Sequence, residues 1–286
     1  MNSIEDNWLY EISPKRKLID LNFQEIWRYR DLLILFVKRD ITTVYKQTIL
    51  GPLWFFIQPL FTSVIYTLVF NNIASISTGS VPNFLFNLTG ITAWNYFNQC
   101  FTSTSNTFNQ NAALFGKVYF PRVIVPLSKV IAGLVKFGIQ LLILIVFYIY
   151  YIYQGSSVTP NANIILFPVY VILMAFMGLG FGMIISAMTT KYRDLTVLIG
   201  FATSLLVYIS AVPYPLSQVE EKMPDIAWIV RLNPLTQIIE GFRYMILDEG
   251  IFNLGSFLYT IGISLALFLI GLITFNRTEK NFIDTV

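Results

Sequence analysis

Histidine is absent from the 286 residues, and Cys100 is the only cysteine. One such chain can assemble neither a disulfide framework nor a histidine/cysteine metal cluster. Charge is scarce as well: 12% of residues are Asp, Glu, Lys or Arg, about half the roughly 25% of a soluble domain. That is too little to cover a water-exposed surface. There is no G-x-x-x-x-G-K-[ST] loop to cradle nucleotide phosphates, no histidine to act as general base, and no group of converging acids. The opening MNSIEDNWLY lacks the basic stretch and short apolar core of a removable signal peptide. No catalytic residue, metal, bound cofactor or nucleic-acid partner is expected.

What the chain has is apolar mass. Hydrophobic residues make up 55% and aromatics 16%, and the mean hydropathy is +0.64. Lipid is the solvent that tolerates this. A spanning helix needs about 20 mostly apolar residues for a hydrocarbon core of about 30 Å. Six stretches fit, at about 52–74, 84–108, 130–153, 164–187, 196–213 and 254–275. The second, FLFNLTGITAWNYFNQCFTSTSNTF, is unusually polar for lipid.

Basic residues assign the sides. Lys15, Arg16, Lys17, Arg28, Arg30, Lys38, Arg39 and Lys46 precede the first span, and Lys117, Arg122, Lys129 and Lys136 follow the second. With Lys191, Arg193, Arg277 and Lys280 these are sixteen of the nineteen cations, all on one side if every stretch crosses. The opposite links 75–83 and 154–163 carry no charge. The expected fold is therefore an all-α integral membrane protein with six transmembrane helices and both termini cytoplasmic.

Before the first span, residues about 23–46 read as one amphipathic interfacial helix. Leu33, Val37, Ile41 and Val44 form its apolar stripe, and Lys38, Arg39, Thr42 and Lys46 lie on another face. Gly51–Pro52 then breaks it, turning the chain from lying on the membrane to crossing it.

Within the spans, uncharged polar residues recur at helical spacing. Asn95, Asn98, Thr102, Ser105 and Asn109 make one stripe; Gln58, Thr62 and Tyr66 make another. Such groups need partners in lipid, which either helix–helix hydrogen bonds or a wet passage for a polyhydroxylated substrate would supply. Lys129 and Lys136 stand seven residues apart, about 10 Å along one helix face. Two readings fit them, snorkelling to the interface or contact with an anionic headgroup. Arg39 and Lys46 are the other headgroup candidates. The block Phe147–Tyr153 is an interfacial belt or, at Tyr148 and Tyr151, a surface on which sugar rings stack. Gly178, Gly182 and Ser186 form a small-residue packing face.

The link 214–253 should contain short helices. Ser217 with Glu220 has a capping-box pattern, and Asn233 caps a helix restarted by Pro234. Ile238, Ile239, Phe242 and Ile246 line one face of that helix, and Glu240 and Arg243 are an i,i+3 pair. It serves as a structural lid over the bundle or as an outer gate.

Tyr29–Leu60, YRDLLILFVKRDITTVYKQTILGPLWFFIQPL, resembles the leading segment of type-2 ATP-binding-cassette permeases that export O-antigen, capsule or teichoic acid. Lys46–Gln47–Thr48, Leu50–Gly51 and Trp54 are its most specific part, although Pro52 departs from the commonest wording. The likeness continues through LFGKVYFPRVIVPLSKV (114–130), KYRDL (191–195) and NPLTQIIEGFR (233–243). It implies a non-enzymatic half-transporter that works as a homodimer on two copies of a cytoplasmic ATPase, which uses ATP and Mg. Its substrate would be a lipid-linked polysaccharide at a bacterial inner membrane. Implied domains are a cytoplasmic segment 1–50, a six-span unit 51–276 and a tail 277–286. A coupling helix at about 111–122 would contact the ATPase through Lys117, Tyr119, Phe120, Pro121 and Arg122, and a second contact would use Tyr192, Arg193 and Asp194. Gate helices would lie at about 217–247. An exporter of another amphiphile is the nearest alternative, and a membrane-embedded sugar or acyl transferase is a more distant one.

Overall fold

In lipid each backbone N–H must find its partner inside its own segment, which makes apolar runs helical. The computed structural model describes residues 23–46, 51, 53–118, 120–192, 194–250 and 252–282. All regular elements among them are helices. A short α1 (Phe23–Arg28) leads into α2 (Arg30–Lys46). Next come α3 (Leu53–Tyr66), extended by a π-helical turn Thr67–Ile73, then α4 (Asn83–Ser105) and α5 (Thr107–Phe115). The long α6 (Ile124–Tyr153) and α7 (Phe167–Thr189, after a 3₁₀ turn Ala162–Leu166) precede α8 (Leu195–Ile209). Three short helices follow, α9 (Leu216–Lys222), α10 (Pro224–Leu232) and α11 (Pro234–Leu247), and α12 (Leu254–Phe282) closes the chain.

A helix thus stands at each of the six expected stretches. Four helices, at 53–73, 124–153, 162–189 and 254–279, are long and apolar enough to cross a membrane. The fifteen residues of α8 are apolar but shorter. The polarity of α4 has a packing explanation: most of its circumference is buried in protein. Thr89 and Thr92 donate to the Leu85 and Leu88 carbonyls at 2.8 and 2.7 Å. Asn87 donates to Thr67 Oγ1 and Asn71 Oδ1 at 3.1 and 2.8 Å, which also secures the π-helical turn. These groups find their partners within the chain, while Asn87 Oδ1, Asn98 Oδ1 and Thr104 Oγ1 are buried without one.

α4 also packs closely on α7. A Cβ added at Gly178 would lie 2.5 Å from Cys100 Cβ, and one at Gly182 would lie 2.5 Å from Thr104 Cβ. Ser186 Oγ accepts the Phe108 N–H at 3.2 Å. The small-residue face is therefore the α4 contact. Gly180, on the opposite side, meets the Leu267 carbonyl of α12 just as closely, so α7 is clamped between two helices at backbone distance.

Three expectations change here. The single helix over 23–46 is broken at Tyr29. The buried arc of α2 centres on Phe36, which packs edge-on to Phe120 at 5.8 Å, while Leu33, Val37 and Ile41 are only half-buried. The reason is that α2 packs on α6 and is not simply laid on a membrane surface. The capping box at Ser217 and Glu220 does not form, because α9 begins two residues earlier than that cap requires, after Pro215, without a side-chain cap. Gly51 takes φ +41° at the bend, a conformation that favours glycine; Pro52 lies outside the described residues.

Candidate functional site

Helices α2 to α6 enclose a cavity of about 440 Å³ at the end of the bundle where the basic residues collect. Arg39 comes from α2, and Lys129 and Lys136 from one face of α6. Three of the four headgroup candidates therefore share one site. The Lys46 side chain lies outside the described residues. Asp40, which the sequence did not mark, is placed among the cations. Arg39 Nε and Nη2 donate to its Oδ1 at 3.0 and 2.9 Å, and Lys129 Nζ stands 3.1 Å from its Oδ2. The Lys136 ammonium lies 5.3 Å from the centroid of the Phe55 ring, within cation–π range.

The opposite wall is amide-rich, with Gln99 and Ser103 from α4 and Gln110 and Asn111 from α5. Gln99 Nε2 donates to Ser103 Oγ at 2.7 Å. A Cβ at Gly133 would lie 3.5 Å from Gln99 Cγ and 3.7 Å from Tyr96 Cε2, so the small residue lets α6 close on α4 here. Fixed cations facing hydrogen-bonding amides suit a phosphate joined to a polar group.

From this cavity the less buried face of α4 runs towards mid-helix through Thr102, Asn98 and Asn95. Asn98 Oδ1 is buried without a hydrogen-bond partner. Ser105 is buried and Asn109 is exposed. On α3, Gln58 is exposed and Thr62 donates to the Gln58 carbonyl at 2.8 Å. Tyr66 groups with Phe70 and Tyr208 of α8, with ring centroids 5.6 and 6.5 Å away. Tyr148 and Tyr151 stand apart from the stripe. Phe147 meets Phe84 and Phe137 meets Tyr96, so Tyr148 sits about 16 Å of helix rise beyond the level of Asn95. The Tyr148 hydroxyl donates to the Val158 carbonyl at 3.4 Å.

The coupling candidates divide by exposure. Lys117 and Val118 face outward, whereas Phe120 and Arg122, both expected to contact the ATPase, are buried in the chain. Arg122 Nη1 donates to the Glu279 carbonyl at 2.8 Å, Nε is 3.9 Å from Glu279 Oε1, and the guanidinium covers the Phe115 ring at 5.2 Å. Burial lowers the Arg122 pKa and Glu279 opposes that shift. The segment expected as a helix over about 111–122 is helical only as far as Phe115. Pro121 is half-buried; Tyr192 and Asp194 are exposed. Tyr119 and Arg193 lie outside the described residues.

At the far end, α11 is built into the core and not laid over it. Leu235, Ile238, Ile239 and Phe242 are all buried. Asn233 caps it, accepting the Leu235 N–H at 3.0 Å and donating to Ser210 Oγ at 3.0 Å, with Pro234 in its first turn. Arg243 is fully buried. It donates to Glu240 Oε1 and the Ala211 carbonyl, both at 2.9 Å, and to the carbonyls of Tyr214 and Val212. Its guanidinium lies 3.7 Å from the Phe86 ring centroid. Burial raises the Glu240 pKa and lowers that of Arg243, each partly offset by the other.

The family model described as ABC-2 type transporter matches residues 31–247. Two O-antigen export system permease proteins RfbA of Klebsiella pneumoniae are each 28% identical to this chain, over 89% of it and 94% of their own length. The O-antigen export system permease protein RfbA of Myxococcus xanthus is 24% identical over 92% of this chain and 98% of its own.

Proposed function

The chain belongs to the ABC-2 type transporter family, and from that premise we propose that it is the permease subunit of an exporter carrying lipid-linked polysaccharide, of the O-antigen, capsule or teichoic-acid kind, across a bacterial cytoplasmic membrane. ATP and Mg are used by a separate cytoplasmic ATPase, bound in two copies to a homodimer of this chain. The relatives' names, O-antigen export permeases, support the substrate class.

In this reading α3, α4, α6, α7, α8 and α12 all cross, residues 1–50 and 277–286 are cytoplasmic, and 51–276 form the transport unit. The charge asymmetry supports that orientation. A single cysteine at Ser157→Cys, in a Cys100→Ser background, should react with an impermeant maleimide on intact cells. Reaction only after permeabilisation would reverse the orientation. The exposed apolar faces of α3 and α8, including Phe61 and Phe201, are the surfaces offered to lipid and to the second copy. Lys117, Tyr192 and Asp194 are the coupling candidates whose described side chains are exposed, and Arg122 ties that segment to α12. Asn233, Pro234, Glu240 and Arg243 hold the outer gate.

One observation carries the reading: three cations in a cavity that meets the half-buried polar arc of α4 at Gln99 and Ser103. The anionic headgroup enters at Arg39, Lys129 and Lys136, and the hydroxyl-rich chain follows Thr102, Asn98 and Asn95. Replacing Asn98→Trp should stop export while leaving assembly with the ATPase intact. Undiminished export would assign that face to helix packing alone. An exporter of an uncharged drug-like amphiphile would not need the cations.

A further inference from the structure

We propose that Asp40 is a selectivity gate for anionic headgroups: its carboxylate holds the Arg39 and Lys129 cations until a ligand with more than one negative charge displaces it. This rests on the reading of the cavity as a phosphate site. Asp40 is the one carboxylate lining that cavity among the described residues. Its side chain is only 12% exposed. One oxygen is well held, taking both Arg39 donors. The other, Oδ2, lies within ion-pair distance of Lys129 and yet accepts no aligned hydrogen bond. A buried carboxylate oxygen kept by charge alone is held less firmly than one with directed donors.

The charge arithmetic of the site gives the selectivity. Arg39 and Lys129 share one carboxylate, and Lys136 faces only the Phe55 ring among its described contacts. An anion arriving at Lys136 must approach Asp40 to reach the other two cations. A monoanionic phosphodiester, the headgroup chemistry of bulk acidic lipid, brings one charge. Three cations and one carboxylate leave the site a net charge of +2, so a single negative charge pairs with Lys136 and leaves the carboxylate on Arg39 and Lys129. A diphosphate brings two or more charges and several acceptor oxygens, so it can replace the carboxylate on Arg39 and Lys129 and still pair Lys136. The spacing of Lys129 and Lys136, about 10 Å along the helix, also suits an anion extended over two phosphates. Without such a carboxylate, a cationic cavity at headgroup level would fill with ordinary acidic lipid, which a membrane supplies in great excess. Discrimination by a built-in repulsion answers that problem more directly than added affinity does.

The test uses the full chain in phosphatidylcholine nanodiscs, with fluorescent farnesyl diphosphate as probe and dioleoylphosphatidylglycerol as competitor. Wild-type protein should bind the diphosphate and hold it against phosphatidylglycerol. Asp40→Asn should let phosphatidylglycerol compete at a mole fraction about tenfold lower, the effect of losing one close, partly buried charge. Asp40→Glu, which keeps the carboxylate, should restore the discrimination. Unchanged competition in a folded Asp40→Asn protein would overturn the role of Asp40 while leaving the phosphate site standing. Equal binding of both lipids by wild-type protein would overturn it without any variant. If wild-type protein binds neither, the phosphate reading of the cavity fails, and this inference with it.

Discussion

Arg243→Leu should leave little folded protein after extraction into detergent, with a melting transition far below that of the wild type. The guanidinium is fully buried and donates to the Ala211, Val212 and Tyr214 carbonyls and to Glu240. Leucine removes every donor at once. Removing one partner of a buried ion pair costs about 3–5 kcal/mol, a large part of the roughly 5–15 kcal/mol that stabilises a typical fold. The stranded groups explain the size. Ala211 has φ +53°, so the chain leaving α8 is held in an uncommon conformation that presents its carbonyls to this one side chain. Arg243→Lys should fall between, since an ammonium lacks the planar fork that meets several acceptors together. Adding Glu240→Gln to Arg243→Leu should recover part of the loss by removing the unpaired carboxylate. Thermal unfolding followed by size-exclusion fluorescence reads all of these; a wild-type melting point for Arg243→Leu would show that nothing depends on the latch.

The second large effect belongs to the pocket. Replacing Lys129→Gln and Lys136→Gln together should lower export about a hundredfold, since each charge-assisted contact to a phosphate is worth about 1.5–3 kcal/mol and tenfold corresponds to about 1.4 kcal/mol. Neither change should unfold the protein, because both side chains line a cavity and do not fill the core. Assembly with the ATPase should survive, whereas stimulation of ATP hydrolysis by lipid-linked substrate should vanish. Lys136→Gln alone should act more weakly, because Arg39 and Lys129 remain. Export at the wild-type rate in the double variant would remove these lysines from the transport path and return them to a snorkelling role.

The pocket was half legible in the sequence, for a physical reason. Lys129 and Lys136 are seven residues apart, and helical geometry alone puts them on one face. Asp40 is 89 positions from Lys129, and no local pattern announces that pairing. The stripe counted from Asn95 followed one edge of the open face of α4 and passed by Gln99 and Ser103, its neighbours on the same arc. The burial of Phe120 and Arg122 has no local signal, because their partners, Phe36 and Glu279, come from the two ends of the chain. Local order was easier to read. The cap at Asn233 depends on the next few residues only, and the Gly178–Ser186 face depends on helical repeat. The Gly180–Gly271 approach has no local signal, because it joins α7 to α12.

The permease reading stands or falls on where the energy comes from. Purified chain would be placed in vesicles loaded with fluorescent lipid-linked glycan, alone or with the ATPase subunit and ATP–Mg, and glycan reaching the opposite leaflet would be measured with an impermeant quencher. Transfer should occur only when ATPase, ATP and Mg are all present, and should stop with a non-hydrolysable nucleotide. Transfer by the chain alone, at the same rate with or without nucleotide, would contradict it.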